Sequence, residues 1–359
     1  MTTGGHLAHA QLNLPKSLNA LNLEMVQLLF TQLTAWQTDE SINMVVLSGV
    51  GEKAFCAGGD VVSLHNAMRD EPGVTPESVK AFFSEEYELD YLIHTFAKPI
   101  VCWGKGIIMG GGIGLFAGAS HRVVTETTRL AMPEITIGLF PDVGGSYFLN
   151  QVPDNLGLFL GLTGVQVNGA DAIRLKMATH QVAGYQVEDF IERVAKSDFD
   201  SSSVVDSVLA ELKGAPRVDI PVGNIDAHYE LLQNIVSGSD FQLIYDNLVG
   251  LSDSDEKWLS RAGKTLRSGS PITAHLVFQQ LKRARELSLL ECFKMELIMA
   301  CKCASFGEFK EGVRALLIDK DGAPIWKFAD VASVPEHVID SFFTADWSND
   351  QHPLSHIEE

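Results

Sequence analysis

The chain has 359 residues, of which 46% are hydrophobic and 20% charged, so it can form one large domain or two of ordinary size around a substantial core. Its 46 acidic and 27 basic residues leave a formal net charge of −19. This charge repels polyanions, which argues against nucleic acid or an anionic membrane as a partner, and a small anionic ligand would need local cations.

The cysteines and the N-terminal sequence bear on the cellular compartment. The five cysteines, an odd number, form no C-x-x-C pair, which predicts free thiols in a reducing environment. The start MTTGGHLAHAQLN has neither the basic and apolar regions of a secretory signal nor an arginine that would suggest a transit peptide. We therefore expect a cytoplasmic protein.

The first half of the chain alternates strand and helix patterns. Residues 7–13 and 42–49 predict strands, and the leucines between them recur at helical spacing in LNLEMVQLLFTQLTAW. Further strand patterns occur in KAFC, PIVCWG and HRVVTE, and further helix patterns at 61–69, at 76–95 and after the glycines of MGGG. This order predicts an α/β fold with a mainly parallel sheet covered by helices.

Residues 99–119 are apolar enough to imitate a membrane span. Their seven glycines and the central Lys105 favour a buried strand, loop and helix instead. After about residue 153, strand patterns nearly vanish and helix patterns dominate. The chain thus divides into an α/β core at 1–196, a variable helical insertion or linker with short polar and Pro/Gly-rich stretches at 197–260, and a helical C-terminal region at 261–359.

Two glycine groups are candidates for binding a negatively charged atom. Gly58 and Gly59 follow a strand pattern in KAFCAGGD, whereas Gly110 and Gly111 precede a helix pattern in MGGG. Glycine lets a backbone N–H approach a ligand closely, so two such loops could direct two donors at one carbonyl oxygen and form an oxyanion hole. The alternative is that the glycines serve tight turns and close helix packing.

Two carboxylates interrupt the apolar stretch LAMPEITIGLFPDVGGSYFL. Glu134 and Asp142 each follow a proline, which restricts the backbone before them. A buried carboxylate has a raised pKa or needs a partner, so acids in apolar sequence are catalytic candidates. The alternative is helix capping for Asp142 and a surface position at a helix start for Glu134.

A third acid, Glu86, is singled out by helical spacing. In the helix predicted at 76–95, Phe82, Leu89 and Ile93 share one face, and Glu86 lies in the middle of that face. A solvated acidic face explains the neighbouring glutamates but not this one. We expect Glu86 to be buried near polar partners.

Other catalytic patterns are poorly supported. The sequence has no G-x-S-x-G elbow of a serine hydrolase and no H-E-x-x-H, and we predict no metal site. Gly112, Gly114 and Ala117 match the dinucleotide fingerprint G-x-G-x-x-A, but Glu126 comes nearer than the expected spacing of about 20 residues. A nicotinamide-dependent oxidoreductase is accordingly a remote alternative.

Several segments together resemble the crotonase, or enoyl-CoA hydratase/isomerase, superfamily. They extend over nearly the whole chain and are PKSLNAL, KAFCAGGD, GIIMGGGIGL, MPEITIGLFPDVGGSYFL and FKEGVRALLIDKD. The last two look similar to the 3-hydroxyisobutyryl-CoA hydrolase subgroup, and GLFPDVGG discriminates most. The resemblance implies a crotonase-like spiral of ββα turns with a helical C-terminal region. It also implies a coenzyme A thioester as substrate and no separate cofactor.

The resemblance assigns candidate catalytic residues. The N–H groups of Gly59 and Gly111 would form the oxyanion hole. Crotonase hydratases use two glutamates, one just after the glycine triplet and one in the P-E pair. Here the first position is Gly114 and only Glu134 remains. Addition of water to a double bond needs both acids, so an enoyl-CoA hydratase or isomerase is the alternative rather than the leading prediction.

In the hydrolase subgroup, Glu134 is joined by Asp142 and by Glu86, the acid that helical spacing identifies independently. The resemblance therefore predicts hydrolysis of a short branched 3-hydroxyacyl thioester, as in valine breakdown. Glu134 would either attack the carbonyl carbon or activate water. Asp142 would orient the substrate's 3-hydroxyl group or move a proton, and Glu86 would hold that hydroxyl group or Asp142.

Substrate binding would involve further residues. Gly58 and Gly110 would line the thioester, and Lys16 and Lys53 would approach the phosphates of coenzyme A. A second basic cluster fits a solvated surface better than a phosphate site and consists of Lys282, Arg283 and Arg285. Crotonase relatives commonly form trimers or pairs of trimers, so a homo-oligomer is an open expectation.

Overall fold

The computed structural model of the protein describes residues 2–4, 7–197, 203–213 and 221–358. Two compact units interleave along the chain. The first unit comprises Met1–Gly59, Leu89–Leu130 and Gln166–Ala227, and the second comprises Asp60–Glu88, Ala131–Val165 and His228–Glu359.

The strands of the described ranges include the five that the sequence predicts and five short ones that it does not. In chain order the strands are β1 (Thr2–Gly4), β2 (Leu7–Leu12), β3 (Met44–Gly49), β4 (Ala54–Cys56), β5 (Ile100–Gly104), β6 (Ile107–Met109), β7 (His121–Val124), β8 (Arg129–Ala131), β9 (Val167–Asn168) and β10 (His180–Gln181). The last two are only two residues long, which is why strand patterns fade after residue 153. The predicted strands are β2, β3, β4, β5 and β7.

The larger sheet lies in the first unit and has the order β1-β2-β3-β5-β7-β10. Only the β1–β2 pairing is antiparallel among these strands, and the others are parallel. Every residue of β5 is buried, as expected for a parallel strand that is covered on both faces. The predicted parallel sheet is confirmed. A smaller sheet has the order β4-β6-β8-β9.

The helices of the described ranges also follow the predicted order. They are α1 (Leu23–Thr38), α2 (Val61–Asp70), α3 (Glu77–His94), α4 (Gly111–Ala117), α5 (Gly145–Phe148), α6 (Leu156–Thr163), α7 (Gly169–Arg174), α8 (Val187–Lys196), α9 (Ser203–Lys213), α10 (Ile225–Val236), α11 (Phe241–Gly250), α12 (Lys257–Ser268), α13 (Pro271–Arg283), α14 (Leu289–Phe306), α15 (Glu308–Val313) and α16 (Glu336–Ser341). Residues 99–119 form β5, β6 and α4, so the predicted strand and helix are confirmed, whereas part of the predicted loop is the strand β6. None of the helices in the described ranges combines the length and the apolar character that crossing a membrane requires.

Helices α8 and α9 cover one face of the larger sheet. Trp103 of β5 and Phe190 of α8 lie with ring centroids 5.7 Å apart, and Val205 and Leu209 of α9 join the same buried cluster. Helix α9 falls in the 197–260 segment, so part of that segment contributes to the core. Residues 198–202 and 214–220 lie outside the described residues, and the predicted boundaries at 196 and 260 stay a prediction.

The second unit is mainly helical, and its helix starts are fixed by local sequence signals. Ser270 caps α13 by accepting the Thr273 N–H at 3.1 Å, and Pro271 occupies the first turn. The Ser270 N–H donates to Ile135 O at 3.1 Å, so α13 begins beside the 3₁₀ helix Glu134–Ile137. All five cysteines of the chain are buried free thiols, which confirms that expectation.

Candidate active site

The two glycine loops leave the same edge of the smaller sheet in the first unit. Strands β4 and β6 are parallel neighbours, with Ala54 opposite Ile107, so the loops that follow them lie side by side. Gly58 has φ +109°, and a Cβ atom built there would lie 3.3 Å from Met109 O and 3.8 Å from Gly111 N. Glycine is therefore needed at Gly58 for both its backbone conformation and the close approach of the two loops.

Two backbone N–H groups of these loops take no part in the local hydrogen bonds of the bridge and the helix beside them. Leu21 forms an isolated parallel bridge with Gly59 in which the Leu21 N–H donates to Gly58 O at 2.8 Å. In this bridge pattern the Gly59 N–H points away from Leu21. Gly111 is the first residue of α4, where an N–H has no partner within the helix. These are the two amides that the family resemblance predicts as oxyanion donors.

Close packing accounts for another glycine of the second loop. A Cβ atom built at Gly112 would lie 2.4 Å from Cys56 O, so α4 can pack against β4 only with glycine there. The first glycine of the dinucleotide-like pattern thus has a packing explanation. The turn and packing reading therefore holds for Gly58 and Gly112, while the role of Gly59 and Gly111 as oxyanion donors stays a prediction.

The three predicted acids are buried in the second unit. Glu86, Glu134 and Asp142 are 2%, 4% and 4% exposed, respectively. Glu86 lies on α3 between Phe82 and Leu89, which are also buried, so the helical-face argument is confirmed. Within the described residues, one buried oxygen of Glu86 (Oε1) and one of Glu134 (Oε2) accept no hydrogen bond.

The electrostatics of these acids identify them as one coupled group. Burial, followed by the Asp142 charge, raises the pKa of Glu86 and that of Glu134 well above the usual range. Burial raises the pKa of Asp142 to about 7, although the hydrogen bond from Tyr87 opposes this change. Mutual repulsion therefore favours the protonated form of each of these carboxyls beyond what burial alone would do.

Asp142 does not cap a helix. Its side chain accepts the Tyr87 hydroxyl at 2.8 Å, while α5 begins after Gly144 with no side-chain cap. The capping alternative for Asp142 is therefore wrong. Val143, which follows it, has φ +54°, a strained conformation for a β-branched residue and one that clusters at functional sites. The alternative for Glu134 is half right, because Glu134 begins a 3₁₀ helix but is buried.

The predicted basic residues lie apart from the acids along the chain and at the surface. Lys16 and Lys53 are exposed residues of the first unit, on adjoining loops in which a Cβ atom at Gly51 would lie 3.5 Å from Pro15 Cβ. In the second unit, Arg283 forms an ion pair with Asp340 at 3.0 Å. The cluster around Arg283 thus fits the solvated-surface alternative.

A family model described as enoyl-CoA hydratase/isomerase matches residues 7–343. The chain belongs to the enoyl-CoA hydratase/isomerase family. A Danio rerio protein named 3-hydroxyisobutyryl-CoA hydrolase, mitochondrial, is 38% identical over 335 residues, which cover 93% of this chain and 86% of that relative. The Homo sapiens protein of the same name is 35% identical over 340 residues, with 94% and 86% covered. The predicted superfamily is confirmed.

Solved structures of the enoyl-CoA hydratase/isomerase family confirm the predicted crotonase-like fold. A carnitinyl-CoA dehydratase from Mycobacterium thermoresistibile matches with a TM-score of 0.86 at 32% identity, covering 99% of this chain and 98% of that one. An enoyl-CoA hydratase from Rhodobacter sphaeroides matches with a TM-score of 0.83 at 30% identity and 96% coverage of both chains. Family membership leaves the nicotinamide-dependent alternative without support.

Sequence reasoning missed two residues of the acid group. Tyr87 donates to Asp142, and Glu296 on α14 accepts the N–H groups of Gly144 and Ser146, on either side of Gly145. The signal for Glu296 was present, because it lies on the buried face of α14 with Phe293, just as Glu86 lies on the buried face of α3.

Proposed function

We propose that this protein hydrolyses an acyl-CoA thioester, converting 3-hydroxyisobutyryl-CoA to 3-hydroxyisobutyrate and coenzyme A. The observation that carries the proposal is the group of three buried, electrostatically coupled carboxyls, Glu86, Glu134 and Asp142. The names of relatives at 38% and 35% identity support the same activity and the same substrate.

Hydration of an enoyl-CoA is the competing function, since the two solved family members described above are named as a dehydratase and a hydratase. The residue at the first hydratase acid position is Gly114, which is buried inside α4 and has no side chain to donate or accept a proton. Glu134 would have to perform both proton transfers alone. This favours hydrolysis, which needs one nucleophile or base near the carbonyl carbon.

The oxyanion hole would supply the electrostatic part of catalysis. The Gly59 and Gly111 amides would donate to the thioester oxygen, which becomes negatively charged when the carbonyl carbon turns tetrahedral. Removal of one such donor typically costs about 3 to 4 kcal/mol of transition-state stabilisation. Gly58 and Gly110 would let the thioester approach the backbone of the two loops closely. The exposed Lys16 and Lys53 would bind the phosphates of coenzyme A, which an acidic protein otherwise repels.

Glu134 would start the reaction in one of two ways. In the first, its carboxylate attacks the carbonyl carbon, the C–S bond breaks, and the resulting anhydride is opened by water. In the second, Glu134 takes a proton from water, which attacks the carbon directly. In both routes the acyl carbon exchanges its sulfur for an oxygen, which comes from Glu134 or from water, and the departing sulfur gains a proton. Asp142, with its pKa of about 7, would carry a proton or hold the substrate's 3-hydroxyl group, assisted by Glu86.

The test is to mix the protein separately with 3-hydroxyisobutyryl-CoA and with crotonyl-CoA and to follow both free thiol and enoyl absorbance. The proposal expects thiol release from the first substrate. Loss of enoyl absorbance from crotonyl-CoA without thiol release would instead identify a hydratase. In a single turnover in ¹⁸O water, label on Glu134 identifies the anhydride route, because it arises only when water opens the anhydride at the enzyme carboxyl.

A further inference from the structure

Glu296 binds the backbone that directly follows Asp142, although the two residues lie far apart in the sequence. Its side chain is completely buried on α14, with Oε2 accepting the Gly144 N–H at 2.8 Å and Oε1 accepting the Ser146 N–H at 2.7 Å. These short bonds to both oxygens make the carboxyl group a bridge between the amides of Gly144 and Ser146. Helix α14 is itself anchored at its start by a capping box between Ser288 and Glu291.

The segment that Glu296 holds is strained. Val143 has φ +54° and Gly144 has φ +85°, and β-branched residues at positive φ persist only where their surroundings impose that conformation. On the near side of Asp142, Gln280 Nε2 donates to Pro141 O at 2.8 Å. Asp142 therefore sits between two anchors, and Glu296 is the anchor that restrains the strained residues.

A purely structural cap would not require this residue type. A hydroxyl or amide oxygen satisfies an orphan N–H at a helix start, whereas a fully buried carboxyl carries a large desolvation penalty. That penalty is the largest cause that raises the pKa of Glu296 to about 8; the hydrogen bonds from Ser146 and Gly144 oppose it and the charge of Asp142 adds to it, so the two acids influence each other's protonation. A carboxyl at this position thus couples the geometry of the loop to the charge on Asp142.

We propose that Glu296 is a positioning residue that holds the strained Asp142 loop and thereby sets where the Asp142 carboxyl lies and when it carries a proton. The inference rests on the proposed function, in which Asp142 acts on the substrate. Glu296 itself makes no contact with the substrate in this proposal.

A double-mutant cycle tests whether Glu296 acts through Asp142. We expect Glu296→Gln to lower kcat for thiol release about 100-fold, because displacement of a reacting group by about 1 Å costs that much. In an Asp142→Asn background, the same substitution should lower kcat by less than about threefold. If the two losses multiply instead, the proposal is overturned, as it is if Glu296→Gln alone retains the wild-type kcat.

A matched control separates positioning from general destabilisation. Asp171 is a buried acid of the first unit that accepts the Ile225 N–H at 2.8 Å. Asp171→Asn removes a comparable buried acceptor, and any loss it causes should multiply with that of Asp142→Asn. Should Glu296→Gln fail to fold, Glu296→Asp keeps the carboxyl group, shortens the bridge and enters the same cycle with the same expectation.

A second measurement needs no turnover and so distinguishes failure of this inference from failure of the proposed function. The Asp142 carboxyl can be titrated by ¹³C NMR of aspartate-labelled protein, with its signal assigned by its absence in Asp142→Asn. We expect a pKa near 7 in the wild type and a clear fall in Glu296→Gln, since a released loop admits water and a neighbouring acid is lost. An unchanged pKa overturns the inference. Wild-type protein that releases no thiol but shows the expected fall refutes only the proposed activity.

Discussion

Replacing Asp142 by asparagine should make the free energy of unfolding less sensitive to pH. Burial raises the pKa of Asp142 from its ordinary value of 3.8 to about 7 in the folded protein. Between these values the folded state binds a proton that the unfolded state has released. The resulting stability is fully present below about pH 4 and is lost as the pH rises through 7.

The size of this effect follows from the two pKa values. At 1.36 kcal/mol for each pKa unit, the difference between 3.8 and about 7 corresponds to about 4 kcal/mol, shared in part with the coupled Glu86 and Glu134. Asparagine has nearly the same shape, can still accept the Tyr87 hydroxyl and cannot ionise. The variant should therefore escape this loss, while its other acids titrate as in the wild type.

The assay is urea unfolding of the wild type and Asp142→Asn at pH 4.5 and pH 7.5. Subtracting the change in unfolding free energy of the variant from that of the wild type removes the contribution of the groups that both proteins share. We expect the wild type to lose several kcal/mol more than the variant over this interval. Parallel pH dependences for the two proteins would show that Asp142 is not a buried, desolvated acid and would refute the reasoning.

Three further predictions concern catalysis. Gly111→Pro removes an oxyanion donor at the first position of α4, where proline suits a helix, so kcat should fall about 10² to 10³-fold; an equal loss in Gly111→Ala would contradict a role for the amide. Tyr87→Phe removes the hydrogen bond that lowers the pKa of Asp142, so the pH–rate profile should move upward by about one pH unit, and an unmoved profile would argue against this contact. In the wild type, kcat/KM should change with an apparent pKa near 7, whereas a midpoint near 4 would indicate exposed acids.

Hydrophobic periodicity, together with the glycine, proline and polar residues between elements, predicts most of the fold. The helical face of Phe82, Leu89 and Ile93 locates a buried glutamate, and the glycine-rich segment at 99–119 is correctly assigned to a buried strand and a helix, although the sequence predicts a loop where the short strand β6 lies between them. These features depend on neighbours within a few residues, so a single sequence contains them. The short β9 and β10 escape detection because two residues are too few to show a strand period.

The contacts among the acids could not be predicted in the same way. Asp142 meets Tyr87, which lies 55 positions earlier, and the Asp142 loop meets Glu296, about 150 positions later. Such long-range pairs depend on how the helices pack, which periodicity does not specify. The positive φ of Val143 is equally hidden, because a valine gives no local signal for a conformation that its surroundings impose.

The central claim is that Glu134 begins the cleavage of a coenzyme A thioester. The most direct measurement compares thiol release from 3-hydroxyisobutyryl-CoA by the wild type and by Glu134→Gln, with coenzyme A ester binding measured on both. Glu85→Gln serves as the matched control, since Glu85 is only partly buried on α3, beside the apolar face. We predict that Glu134→Gln binds the ester but releases no thiol, while Glu85→Gln releases thiol at the wild-type rate. Thiol release by Glu134→Gln at the wild-type rate would contradict the account.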